Sequence, residues 1–297
     1  MTVDLSSSVS SYGTDNVFDT LVLIKGAGDL ATGVAARLYR CGFPVVMTEL
    51  PRPLMVRRTV SFGEAVYETE VVVEGIQARR VDDVAAARSA IAHGEVPVLV
   101  DPETRCLADL APAVLVDAVM AKTNTGTRLA DAPLVITLGP GFAAGVDCHA
   151  VVETNRGHRL GRAIYAGSAE PDTGEPGLVG GMTHQRILRA PVAGVVASYA
   201  TIGDRVEKGQ IVASVADAPV VARTGGVLRG LLRSGAVVPA GLKIGDVDPR
   251  AEPSHCFLIS DKALAIAGGV LEAILAGGVD RCAQEHVSQE HAAQEAG

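Results

Sequence analysis

Residues 20 to 184 alternate between short apolar runs and stretches with apolar positions at helical spacing. The runs at 21–24, 45–48, 96–101, 114–117 and 134–138 are rich in Val, Leu and Ile, the composition of strands buried on both faces. Between the first two, Leu30, Val34 and Leu38 share one helical face, and Gly42 is placed to end the helix. Val84, Arg88 and Ile91 repeat the arrangement ahead of Gly94. A hairpin over 68–81, turning at Glu74-Gly75, interrupts the rhythm. Strand, helix and strand in this order predict a doubly wound parallel sheet in an α/β domain over 20–184.

The second half is written differently. "APVAGVVASYATIGDRVEKGQIVASV" from Ala190 and "ARTGGVLRGLLRSGAVVPAGLKIGDV" from Ala222 form an internal repeat with a period of about 32 residues. Gly194, Gly203, Val206, Gly209 and Val215 fall on Gly226, Gly235, Val238, Gly241 and Val247. The repeat resembles the biotinyl/lipoyl barrel-sandwich fold, which implies such a domain over 185–250. The carriers of that fold present a modifiable Lys on the hairpin joining the halves. No Lys lies between Lys208 and Lys243, so neither biotin nor lipoate has an attachment point. A last stripe of Ala263, Ile266, Val270 and Ile274, with Ser260 or Asp261 as its cap, predicts a C-terminal helix in the segment 251–279.

Composition narrows the class. Aromatics make up 3% of the chain and Trp is absent, so Ala, Val, Leu and Gly must fill the cores. A net charge of −8 argues against a general nucleic-acid binder, which needs clustered Lys and Arg. Five scattered cysteines without a CxxC pair read as reduced thiols and a cytoplasmic location. Residues 1–19 have neither the basic start nor the apolar run of a signal peptide and read as a disordered tail. No run is long enough for a membrane span. In the polar tail 280–297, His286 and His291 lie five apart, a poor spacing for one metal, and no metal site is assigned.

Gly26, Gly28 and Ala31 match the relaxed glycine motif that follows the first strand of a Rossmann-like domain and opens its helix. There the glycines admit a pyrophosphate to the helix N-terminus. Glu49, about twenty residues on, is placed to bond a ribose 2′-OH, which favours NAD or another nucleotide over NADP. Asp29 competes, because a carboxylate in the turn can occupy the same positive helix end. On that reading the glycines serve packing alone.

Polar residues gather after the fourth and fifth runs. Lys122, Asn124, Asn155 and Arg156, with the glycine loop at Gly139 and Gly141, are candidates for holding a small anionic ligand. Asp147, His149 and Glu153 are candidates for moving protons, and Cys148 is either a thiolate or an inert thiol. Arg52, Arg57 and Arg58 form either solvated surface or a phosphate clamp.

Taken together, "IKGAGDLATGVAARLYRCGFPVVMTELPRPLMVRRTVSFGEAVYE", "VLVDAVMAKTNTGT", "LGPGFAAGVDCHAVVETNRGHRLG", "GSAEPDTGEPG" and "GLKIGDVDPR" closely resemble the YqeB family over residues 21–278. Its members are described as accessory proteins of selenium-dependent molybdenum hydroxylases. The resemblance implies a role beside such an enzyme, in maturing its molybdenum cofactor or handling selenium, and transfers no catalytic residue. Three functions stay open: an accessory or maturation factor binding a nucleotide-bearing or anionic ligand, an NAD-dependent oxidoreductase using His149 or Lys122, and a non-catalytic adaptor. Whether the chain forms a homo-oligomer is also open.

Overall fold

The computed structural model describes residues 19–174 and 177–277. The expected tails therefore lie outside the described residues, apart from Asp19. The first unit contains strands β1 (Val22–Lys25), β2 (Val45–Glu49), β3 (Glu70–Val73), β4 (Ile76–Val81), β5 (Val96–Val100), β6 (Val114–Asp117), β7 (Leu134–Leu138), β8 (Ala150–Val152) and β9 (Ala163–Ile164). They form one sheet in the order β3-β4-β5-β2-β1-β6-β7-β8-β9. Its helices are α1 (Asp29–Arg40), the short α2 (Ala65–Glu68), α3 (Val84–Ala92), the short α4 (Leu107–Leu110) and α5 (Asp261–Ala276).

Alternation within β1 shows how the sheet is buried on both sides. Val22 and Ile24 face a core shared with α1 and α5, while Leu23 faces a second core with Ala87 and Ala90 of α3. Helices α1 and α5 pack closely against each other. A Cβ on Gly33 of α1 would sit 2.6 Å from the Cβ of Ala263, so a side chain there would force the two helices apart. The chain thus returns after the β-rich unit to finish the first layer.

The second unit comprises β10 (Ile187–Arg189), β11 (Gly194–Ser198), β12 (Arg205–Val206), β13 (Ile211–Val215), β14 (Ala218–Val221), β15 (Gly226–Leu231), β16 (Val237–Val238) and β17 (Lys243–Asp248). They make two four-stranded antiparallel sheets, ordered β10-β17-β15-β12 and β14-β13-β11-β16. The repeat explains this order: a shift of 32 residues carries β11, β12 and β13 onto β15, β16 and β17. The copies exchange one strand each, since β12 pairs with β15 and β16 with β11. The paired glycines keep matching backbone, φ +104° and +89° at Gly203 and Gly235, +94° and +79° at Gly209 and Gly241.

The expected fold class needs correcting in both parts. The large sheet is not a uniformly parallel, Rossmann-like one but mixed, because β3 and β9 run antiparallel at its two edges. The β-rich unit does not close as a lipoyl-type barrel sandwich: among the described residues its two sheets share no hydrogen-bonded ladder. Glycine turns and β-branched runs dictate hairpins, but they do not dictate how the resulting sheets join. No helix among the described residues is long and apolar enough to cross a membrane.

Candidate functional site

Loops leaving the carboxyl ends of β1, β2, β5 and β6 frame an open cleft of two lobes, the first of about 830 Å³. β1 has β2 on one side and β6 on the other, so the cleft lies where the strand order reverses. Ligands of open α/β sheets bind at such points.

The glycine turn is the floor of this lobe. Gly26 holds φ +94° and donates to the Thr48 carbonyl at 2.9 Å; a Cβ there would meet the backbone of Ala118 and Val119 at 3.3 Å. Local packing therefore accounts for Gly26. Gly28 is different. Its φ of −69° suits any residue, and a Cβ built on it meets nothing within 4 Å. No side chain caps α1, although Gly28, Asp29, Leu30 and Ala31 all line the lobe. The positive end of a twelve-residue helix is thus left open to the cleft. Asp29 does not cover it, because its carboxylate lies 3.6 Å from Arg57 Nη1.

Glu49 braces the turn. Its Oε1 accepts from Ala27 N at 3.0 Å and its Oε2 from Leu50 N at 2.6 Å. Burial raises its pKa, against the lowering effect of those two N–H groups. Each oxygen keeps a second lone pair, so the carboxylate can still accept from a ligand hydroxyl. Leu50, Leu54 and Val119 are exposed apolar residues that line the same lobe, a composition suited to a flat ring.

The second lobe, about 680 Å³, lies between the α/β layer and the β-rich unit and shares Asp29, Leu30, Met120 and Lys243 with the first. Lys122, Asn155 and Arg156 do reach it, but each already has a partner. Lys122 Nζ donates to Asp172 at 2.6 Å, Asn155 Nδ2 to Glu170 at 2.6 Å, and Arg156 grips Asp261 through two bonds of 3.0 and 3.2 Å. Asn124 folds back on its own loop, where its Oδ1 accepts from Gly126 N and Thr127 N, both at 2.8 Å. Gly139 and Gly141 do not form an anion cradle. Cβ atoms there would sit 2.5 Å from Thr154 Oγ1 and 2.6 Å from the Lys122 carbonyl carbon, so both glycines serve close packing.

The proton-moving candidates are not brought to the cleft. The chain after β7 runs back along the sheet, and His149 bonds to Val135 near the start of that strand, its backbone N–H donating to the Val135 carbonyl and its Nδ1 accepting from Val135 N–H. Asp147 accepts from Ala143 N and Asn124 Nδ2, which makes it a turn former. Glu153 is buried and accepts from Asn155 N and Glu170 N. Cys148 is buried 3.3 Å from Thr137 Oγ1, and burial pushes its thiol pKa up, which favours the reading of an inert thiol.

Sequence reasoning missed Arg186, Arg229, Lys243 and Lys262, which line the second lobe beside Arg57. The available signal was a charge inside the apolar strand "GVLRGLL". Such a charge is either turned outward or buried for a reason.

The fold and site define an α/β protein with an appended β-repeat and a two-lobed cleft at the carboxyl edge of its sheet. No family model matches the chain. It is similar to Uncharacterized protein YqeB of Escherichia coli (strain K12), with 49% identity over 255 residues, covering 86% of this chain and 47% of that protein. That supports the YqeB family for the matched residues, while the chain spans about half the length of this curated relative. Among solved structures it is similar to an aspartoacylase family protein from Mesorhizobium loti, at 14% identity and a TM-score of 0.26, over 76% of this chain and 84% of that one. A product-bound ectoine utilization protein from Ruegeria pomeroyi follows at 13% identity and 0.23, over 77% and 85%. Likenesses this distant carry no argument about function.

Proposed function

We propose that the cleft binds a nucleotide-bearing or otherwise anionic ligand, and that the chain serves as an accessory or maturation factor for a selenium-dependent molybdenum hydroxylase. The observation that carries the ligand is Gly28, which neither its backbone nor its neighbours require to be glycine. A bare residue at an uncapped helix start leaves a phosphate free to approach the N–H groups. Glu49 suits a ribose hydroxyl and the Leu50, Leu54 and Val119 wall suits a base, so the donor set fits a nucleotide such as NAD.

The accessory role is what the resemblance of the sequence motifs to the YqeB family implies, and it stands as part of the proposal. It gains support from Val195, Tyr199, Ile211 and Val237, apolar side chains exposed on the β-rich unit where a client protein can dock. The geometry favours the oxidoreductase alternative less, since His149 bonds to Val135 near the start of β7 and Lys122 is paired with Asp172.

Thermal melting with NAD(H), mononucleotides and molybdopterin precursors tests the ligand, because a molecule that binds only the folded chain raises Tm. Gly28→Val is expected to keep the fold and lose that rise, the valine filling the approach to the helix. A folded Gly28→Val protein with undiminished affinity rules the turn out.

A further inference from the structure

The second lobe has a charge balance unlike the rest of the molecule. The chain carries a net charge of −8, yet among the described residues eight Lys and Arg side chains line this lobe against four carboxylates. Several of those cations are matched: Arg186 donates to Asp246 at 2.6 Å and to the Gly177 carbonyl, and the Lys122 and Arg156 pairs are described above.

Arg57 and Arg229 are not matched. Each is 7% exposed. Arg57 uses Nη2 on the carbonyls of His255 and Leu258, both at 3.0 Å, but its Nε and Nη1 make no hydrogen bond. Nη1 has only the Asp29 carboxylate at 3.6 Å. Arg229 also leaves its Nε without a partner. Its nearest carboxylate, Asp248 at 3.9 Å, is engaged by Arg250 at 2.6 Å. Burial, and then the neighbouring Arg57 charge, lower the Arg229 pKa. Desolvation within the lobe likewise lowers those of Lys262 and Lys243, although the Lys243 side chain is 40% exposed and its shift counts for correspondingly less. Two buried guanidiniums with idle N–H groups, set near each other, cost stability unless something negative joins them. Guanidinium forks are matched in shape to phosphate oxygens.

We infer that the second lobe is a phosphate-binding site built jointly by Arg57 of the α/β layer and Arg229 and Lys243 of the β-rich unit, and that it takes a phosphate or diphosphate group. The inference rests on the proposed cleft reading only for the rest of the ligand, whose phosphate end this lobe would hold. Lys243 and Asp29 border both lobes, so one molecule can reach from the glycine turn to the arginines. Asp29 is the internal anion that an incoming phosphate displaces from Arg57.

Calorimetry of the full chain with inorganic pyrophosphate at constant ionic strength tests this. The wild type binds, and Arg229→Met weakens binding on the order of tenfold or more, since one charged hydrogen-bonding group is lost. The same variant without ligand melts at or above the wild-type temperature, because an under-partnered buried cation has gone. An arginine that only glues the two units together gives the opposite: a lower Tm and unchanged pyrophosphate affinity. That result, or no binding to the wild type, overturns the inference. Should Arg229→Met fail to fold, Lys243→Met at its partly exposed position decides in the same way, weakened binding supporting the site and unchanged binding ending it. Gly28→Val keeps the two ideas apart. Pyrophosphate bound by an arginine-dependent lobe, with no nucleotide bound at all, sinks the nucleotide reading alone. Nucleotide bound through Gly28, with pyrophosphate ignored, sinks the arginine site alone.

Discussion

Two pairs of cations flank the second lobe, and they differ in company rather than in charge. Lys122 and Arg156 stand at the rim, 55% and 32% exposed, each within 3.0 Å of its own carboxylate. Arg57 and Arg229 are buried, and no carboxylate comes closer than 3.6 and 3.9 Å. The rim pair is conspicuous in a sequence because it sits among polar loop residues. Of the buried pair Arg229 is hidden in an apolar stretch of sequence, yet both retain unused donors. Proximity to a cleft does not make a cation available; the absence of a partner does.

The largest test of this contrast sets Lys122→Ala with Arg156→Ala against Arg229→Met. In the same pyrophosphate titration the rim double variant stays within about threefold of wild type, because exposed, already paired charges contribute little. The buried variant falls by the tenfold given above. Equal losses would erase the distinction. A smaller effect comes from freeing a rim cation. The Lys122 bond lowers the Asp172 pKa, and Asp172→Asn leaves Lys122 without its anion. Affinity for pyrophosphate then rises about two- to threefold, with a steeper dependence on salt; no change would show that pairing is not what silences the rim.

The smallest effect lies in acid. Arg156 lowers the Asp261 carboxyl from its ordinary 3.8 to about 2. A carboxylate whose folded pKa is depressed stabilises the fold above its unfolded pKa and loses that contribution as pH falls through the folded one. Stability should therefore decline between about pH 4 and about pH 2 in part through this pair. Arg156→Met should flatten that portion of a denaturation profile and leave pH 7 nearly unchanged, and an unaltered profile would show the pair to be inert.

The parallel strands were legible because burial on both faces leaves continuous Val, Leu and Ile with nothing polar to confuse them. The hairpin at Glu74-Gly75 was legible because both turn residues take positive φ, +47° and +81°, which Gly tolerates freely. β8 and β9 were missed, being three and two residues long and set among polar loops, too short for any alternation. At the site, the glycine turn and Glu49 could be read from spacing alone. The catalytic candidates could not be placed, since spacing does not tell whether the loop after β7 stays at the carboxyl edge or runs back. Here it runs back, and it takes Asp147 and His149 with it. Arg57 was flagged and left undecided; Arg229 gave only the oddity of one charge in an apolar strand.

Helix α5 is the last described element of the chain, yet it completes a layer begun at Val22. Ala263, Ile266 and Val270 seal the apolar side of a sheet whose strands, β1 to β9, were all made before the β-rich unit. During synthesis that side stays bare until the whole β-rich unit has emerged. A chain cut anywhere between 190 and 260 would lose more than an appendage: it would leave an open hydrophobic wall along α1, β7 and β8. The two units are thus obliged to mature together.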